Sequence, residues 1–133
     1  MNRVTCAVWR RLLVTDPGGC TLTLPYPPSV NHLYRRTRGG RVVLTEAGAQ
    51  YKHDAGMTAL AAGIAPFTGP LVVSITVYRP RRSGDLDNTL KALLDAGNGV
   101  LWLDDQQIVE LHAFRRDDKH LPRAVVTVAA ARP

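Results

Sequence analysis

Cysteine is nearly absent from this chain, with two residues in 133, Cys6 and Cys20. Their spacing fits no zinc pattern, and one pair is too few for a disulfide framework. A reducing compartment, the cytoplasm, is the expectation. Long apolar runs are also missing: nothing approaches the ~18 consecutive residues that cross a bilayer. The apolar stretch near the N-terminus is interrupted by Arg10 and Arg11, which makes it a poor signal peptide. No membrane partner is expected. Lysine is scarce as well. Of 17 basic residues only Lys52, Lys91 and Lys119 are lysines; the rest are arginine. Arginine grips phosphate in a bidentate fork, so the composition leans towards nucleic acid, although a GC-rich coding sequence gives the same bias with no binding role.

Acid is scarce too, and unevenly placed. The net charge is +6, with 11 Asp and Glu in all. Residues 1–84 hold 11 basic and 3 acidic side chains, residues 85–110 hold one basic and six acidic, and residues 111–133 hold five basic and two acidic. An acidic island therefore lies inside a basic chain. Crowded carboxylates repel one another unless a cation compensates, and a divalent metal is the obvious candidate.

The length suits a single domain, and 45% apolar residues can build its core. Residues 1–19 read as an extension ending at the turn Asp16-Pro17-Gly18-Gly19, with Trp9, Leu12, Leu13 and Val14 available to dock on the body; residues 20–133 form the domain. Cys20 to Leu24 alternates as a strand does, and Pro25-Tyr26-Pro27-Pro28-Ser29 makes a stiff loop after it. Arg35 to Arg41 surrounds Gly39-Gly40 as a basic hairpin tip, with Arg41 to Leu44 as the return strand. Thr45 caps a helix running to about Ala62. Leu71 to Tyr78, apolar and β-branched, predicts a buried strand. A helix is predicted from about Asn88 to Ala96, ended by Gly97. Two further strands, Gln107 to Phe114 and Ala124 to Ala129, are expected to be neighbours joined at the polar turn 116–119. The expected fold class is α+β, with one mixed sheet of four or five strands and two main helices.

Two acidic motifs define the island. Gly84-Asp85-Leu86-Asp87-Asn88 leaves the best strand and enters a helix. On extended backbone Asp85 and Asp87 face one volume. Leu103-Asp104-Asp105 precedes the next strand, where one of the pair should face the first motif and the other not. Asp87, Lys91 and Asp95 follow at four-residue steps and share a helix face. Hard ions such as Mg²⁺ take a few carboxylate oxygens and keep several waters. Each feature also has an ordinary reading. Asp87 and Asn88 suit a helix start, Lys91 and Asp95 can be a surface ion pair, and Asp104-Asp105 can be a turn. Singly the ordinary readings are better; jointly, a metal site is slightly ahead.

Three segments carry a family resemblance. They are Leu24-Pro25-Tyr26-Pro27-Pro28-Ser29-Val30-Asn31 with Tyr34-Arg35, then Asp85-Leu86-Asp87-Asn88 with Lys91 and Asp95-Ala96, then Trp102-Leu103-Asp104-Asp105 with Gln107-Ile108. In order and approximate spacing, over about residues 22 to 130, the chain resembles the RusA-type Holliday-junction resolvases. One departure is Gly84, where the family often has Arg. The resemblance implies a Mg²⁺-dependent homodimer, with Mn²⁺ as a substitute, that cuts four-way DNA junctions by paired symmetric nicks in recombination and repair and leaves 5′-phosphate and 3′-hydroxyl ends. It implies Asp85, Asp87 and Asp105 as essential carboxylates and metal ligands, Asp104 beside them, and Lys91 as the assisting cation. Asn31, Arg35, Arg36, Arg38, Arg41, Arg79, Arg81, Arg82, Arg115 and Arg116 become the DNA-contact candidates. Tyr34 and His32 are candidates to touch an unstacked base; hairpin packing for Tyr34 and an ordinary surface His32 are the simpler readings. The rival functions are a non-catalytic branched-DNA-binding module and a metal-dependent phosphoesterase acting on other nucleic acids. An inactive prophage copy is a third, disfavoured by the intact constellation.

Overall fold

A computed structural model describes residues 19–82 and 85–131; the expected N-terminal extension and Gly84 lie outside the described residues, apart from Gly19. The chain forms β1 (Cys20–Pro25), a hairpin of β2 (Tyr34–Arg36) and β3 (Val42–Leu44), helix α1 (Glu46–Ala61), β4 (Leu71–Arg79), helix α2 (Leu86–Gly97), β5 (Ile108–Asp117) and β6 (Arg123–Ala130). Four strands make one mixed sheet in the order β1-β6-β4-β5, and β2 and β3 make a separate two-stranded ribbon. The architecture is α+β, as expected.

β4 lies at the centre because its alternation is the cleanest in the chain. Leu71, Val73, Ile75 and Val77 are buried, and the residues between them are half-buried. Leu22 and Leu24 of β1, Ala124, Val126 and Val128 of β6, and Ala55, Ala59 and Leu93 of the helices complete one core. The opposite sheet face is mixed, with Ser74, Thr76 and Thr127 beside Val72 and Val125. There the Thr21 and Thr127 hydroxyls bond across β1 and β6 at 3.0 Å.

β5 and β6 are not neighbours, contrary to the expectation from their short connection. β5 pairs parallel with β4 through the α2 crossover, and β6 pairs antiparallel with the other edge of β4. A helical crossover commits β5 to a parallel partner. The connection at 118–122 therefore steps across the end of β4, where the Asp118 amide donates to the Arg79 carbonyl at 2.9 Å. Asp118 folds this loop by accepting from the His120 and Leu121 amides and from Arg123, whose guanidinium lies 3.8 Å from the centre of the Tyr78 ring. Arg123 and these amides hold the Asp118 carboxyl below its ordinary value.

α1 starts where Thr45 predicts. The Thr45 hydroxyl accepts from the Gly48 amide at 3.0 Å and donates to the His32 carbonyl at 2.6 Å, so one residue both caps the helix and ties the segment before the hairpin to it. Gly48 is required there, because a Cβ would stand 2.7 Å from the Leu33 carbonyl oxygen. α2 begins at Leu86, two residues before the expected Asn88. Its far end is closed by Trp102, which lies against Gly97 so tightly that a Cβ there would be 2.5 Å from the ring. The indole N–H donates to the Asn98 side chain at 3.0 Å, and Lys52 donates to the Asn98 carbonyl at 2.6 Å. A cation at a helix C-terminus satisfies leftover carbonyls and complements the dipole. Trp102 thereby fixes where the second acidic motif begins.

Candidate active site along helix α2

The early helix start changes the relation of the first two aspartates. Asp85 is the N-cap residue, extended at φ −95° and ψ 149°, while Asp87 already lies in the first helical turn. Two positions apart on a helix do not face each other, so the alternation of a strand no longer aligns them. Asp85 makes no capping hydrogen bond, although Asp is among the best capping residues. Its side chain instead lines a cleft of about 540 Å³ together with Pro25, Tyr26, Pro27, Pro28, Ser29 and His32 from the proline-rich loop. Tyr51, Gln50 and Asp54 of α1 also line it, as do Arg81 and Asn88. The Tyr51 hydroxyl donates to the Pro25 carbonyl at 2.8 Å, which holds the loop against α1; burial pushes this phenol up. His32 is exposed and shares a 2.8 Å hydrogen bond with Ser29.

The second acidic motif is a short 3₁₀ turn at Asp105–Gln107. Asp104 caps it, accepting from the Gln106 amide at 2.9 Å. Gln107 closes the capping box: its side-chain oxygen accepts from the Leu103 and Asp104 amides at 2.8 and 2.9 Å, and its amide donates to the Phe67 and Gly69 carbonyls. Asp104 thus has a structural duty, as its ordinary reading held. Asp105 is left to face α2. Its carboxyl is raised above the ordinary value by partial burial first, then by the adjoining Asp104 and by Asp95, against the lowering effect of Lys91.

Among the described residues the expected common pocket does not appear as a single cluster of metal-ligating side chains. No group of three or more His, Cys, Asp or Glu side chains among these residues is placed to hold a metal ion. The topology explains this. Asp85 follows the C-terminal end of β4, whereas Asp105 precedes the N-terminal end of the parallel β5, so the two lie towards opposite ends of α2. Ten residues of helix, from 85 to 95, rise about 15 Å. What α2 does present is a row: Asp85 on the cleft at its N-cap, Asp87 in its first turn, then Lys91, then Asp95 with Asp105 beside it.

Lys91 and Asp95 form an ion pair at 3.2 Å, and the Tyr34 hydroxyl donates to the other Asp95 oxygen at 2.7 Å. The accepting carboxylate raises the Tyr34 phenol to about 12. Tyr34 therefore does more than pack on the hairpin. No spacing signal links two residues 61 positions apart. The arginines divide in the same uneven way. Arg35, Arg36, Arg38 and Arg41 are exposed on the ribbon, as is Asn31 before it. Arg79 is held by Asp117 at 2.5 Å, with Arg82 at 3.5 Å from the same carboxylate, and Arg79 first of all lowers the Asp117 carboxyl. Arg81, Arg115 and Arg116 are exposed at the end of the sheet that Asp85 occupies, Arg116 beside the Phe114 ring.

The profile of the family described as endodeoxyribonuclease RusA matches residues 25–129. The chain belongs to the RusA family. Its relatives include the crossover junction endodeoxyribonuclease RusA of Escherichia coli strain K12, 38% identical over 97 residues that cover 71% of this chain and 81% of the relative. The RusA proteins of Enterobacteria phage 82 and of Shigella sonnei strain Ss046 are also 38% identical, over 100 and 101 residues, covering 71% of this chain and 80% and 81% of theirs. The RusA match takes in the proline-rich cleft wall, the whole of α2 and the Asp104–Asp105 turn, so the candidate site falls entirely within the shared region.

Proposed function

We propose that this RusA-family chain is a structure-specific endodeoxyribonuclease that resolves four-way DNA junctions with paired nicks, using Mg²⁺, or Mn²⁺ in its place. The reading rests on one observation: a single helix joins both acidic motifs, ending one at the cleft and laying the other beside Lys91. The donor set is hard carboxylate oxygen, which suits a hard divalent ion. Asp85, Asp87 and Asp105, with Asp104 beside them, are the residues that would hold the metal, waters and substrate phosphate oxygens filling the remaining positions. A bound ion of this kind lowers the pKa of its water and neutralises phosphate oxygens. Lys91 places a cation where phosphate charge develops. The ribbon arginines and Arg81, Arg115 and Arg116 bind backbone phosphates, which makes affinity fall steeply with salt.

A four-way junction is close to two-fold symmetric, and a C₂ homodimer supplies two sites at a fixed separation. β5 suits the role of interface. Among the described residues it is an edge strand of the sheet, ten residues long, with exposed Val109, Leu111 and Phe114, and an edge of this kind invites pairing.

The test is a synthetic four-way junction with Mg²⁺. Paired cuts that EDTA abolishes and that duplex of equal length fails to compete away support the reading. A rival, a branched-DNA-binding module without catalysis, is favoured by the absence of a three-carboxylate group among the described residues. It predicts binding indifferent to Mg²⁺ and no nicking.

A further inference from the structure

We propose that Tyr34 and Asp95 are a positioning pair that holds Lys91 in place, making the basic ribbon a working part of the active site rather than a separate DNA clamp; this rests on the nuclease reading above. The geometry is a clamp on one carboxylate. One Asp95 oxygen takes the Tyr34 hydroxyl at 2.7 Å and the other takes the Lys91 ammonium at 3.2 Å. Lys91 is 55% exposed and would otherwise sample many rotamers, whereas Asp95 is only 18% exposed and is anchored from a different element.

Helix energetics alone do not favour this carboxylate. Asp95 sits in the last turn of α2, where the negative end of the dipole opposes an acid. The pair runs Lys before Asp, the weaker orientation for an i,i+4 ion pair. Asp95 also repels Asp105. An acid placed against three local penalties and then secured by a tyrosine from a distant ribbon is placed for what it holds. Tyr34 opens β2, so Arg35 and Arg36 follow it directly, and Arg36 donates to the Gly40 carbonyl at 3.1 Å across the turn. DNA gripped by the ribbon bears on the same segment that orients Lys91.

The experiment compares Tyr34→Phe, Asp95→Asn and the double variant with the parent, in single-turnover junction cleavage with Mg²⁺, junction affinity in EDTA and thermal melting. Tyr34→Phe keeps the ring and loses only the hydroxyl. The expected result is a cleavage rate about 10-fold lower at saturating protein, the scale on which residues supporting an active group act, with junction affinity and melting unchanged. Asp95→Asn should lose more, and the double variant should be no slower than Asp95→Asn, because Tyr34 acts through Asp95. A parental rate for Tyr34→Phe overturns the pair. So does a strictly multiplicative double variant, and so does a Tyr34→Phe defect confined to affinity or melting, which would make the contact a ribbon fastening. A parent that does not cut the junction instead overturns the nuclease reading, a separate outcome.

Discussion

The two acidic motifs differ in how much of their chemistry is already spent on the fold. Asp104 is built into its turn, accepting a backbone amide and completing a capping box with Gln107, and Asp105 sits among Asp104, Asp95 and Lys91. Asp85 stands at a helix N-terminus that it does not cap, exposed on a cleft. Asp87, a turn before Lys91, is equally exposed. A carboxylate that declines an available cap is free for a ligand, whereas one that closes a turn is chiefly architecture. The Asp104–Asp105 motif is therefore the stiffer half of the site, and the motif at the cleft is the open half.

The largest effect should come from the open half. Asp85→Asn or Asp87→Asn is expected to lower Mg²⁺-dependent junction cleavage on the order of 10³-fold, about 4 kcal/mol of transition-state stabilisation. Melting should stay close to that of the parent, since exposed substitutions away from structural contacts typically move stability by no more than ~0.5 kcal/mol. Junction binding should hold or tighten, because a charge repelling DNA is gone. Cleavage near the parental rate would remove both residues from the site. Next is the support of the stiff half. Trp102 is fully buried against Gly97, and Trp102→Ala should cost about 3–5 kcal/mol of stability in a denaturant titration. A loss below ~1 kcal/mol would mean that the indole does not set the helix end.

How much of this was legible beforehand follows from the range of the interactions. Thr45 and the apolar, β-branched run from Leu71 to Tyr78 act within one turn or one strand, and the elements they predict are found. α2 starts two residues before the expected Asn88, because Asp87 and Asn88 are good caps by type whereas the cap position belongs to Asp85, whose side chain does not cap. The β5–β6 adjacency failed because a short connection usually joins neighbours, and only the register of β4 with both strands shows that it passes over a strand end. For the site, the acidic island and the Asp87-Lys91-Asp95 spacing were readable as local periodicity. Tyr34 on Asp95, and the division of labour between Asp104 and Asp105, depend on contacts between distant segments or on a turn geometry that composition does not specify.

A smaller effect should separate Asp104 from Asp105. Asp104→Ala removes the cap of the 3₁₀ turn and should cost about 1 kcal/mol of stability. Its cleavage rate should fall far less than that of Asp85→Asn, because Asp105 keeps its place through Gln107. If Asp104→Ala abolishes cleavage with no change in melting, the roles assigned within the pair are reversed.

The smallest effect is one of sign, read by melting in EDTA across pH. The Asp105 carboxyl lies above its ordinary 3.8 in the folded protein, so folding favours its protonated form. Its contribution to stability is then lost as pH rises through the interval from 3.8 to the higher folded value, and at neutral pH the charge is a small net cost. Asp105→Asn should therefore melt slightly higher than the parent at pH 7, with the advantage gone in acid below 3.8. Asp118 is the opposite case. Arg123 and two amides hold its carboxyl low, so its contribution is present above 3.8 and lost as pH falls through the lower folded value. Asp118→Asn should melt lower than the parent at pH 7 and converge with it in strong acid. The stiff half of the site then carries a carboxylate disfavoured first by burial and next by its acidic neighbours, unlike the loop at the opposite end of β5, and a bound cation would offset that cost. A lower melting point for Asp105→Asn at pH 7 would show that the folded chain gains from this charge by itself, and would take away the physical reason for assigning it to a metal.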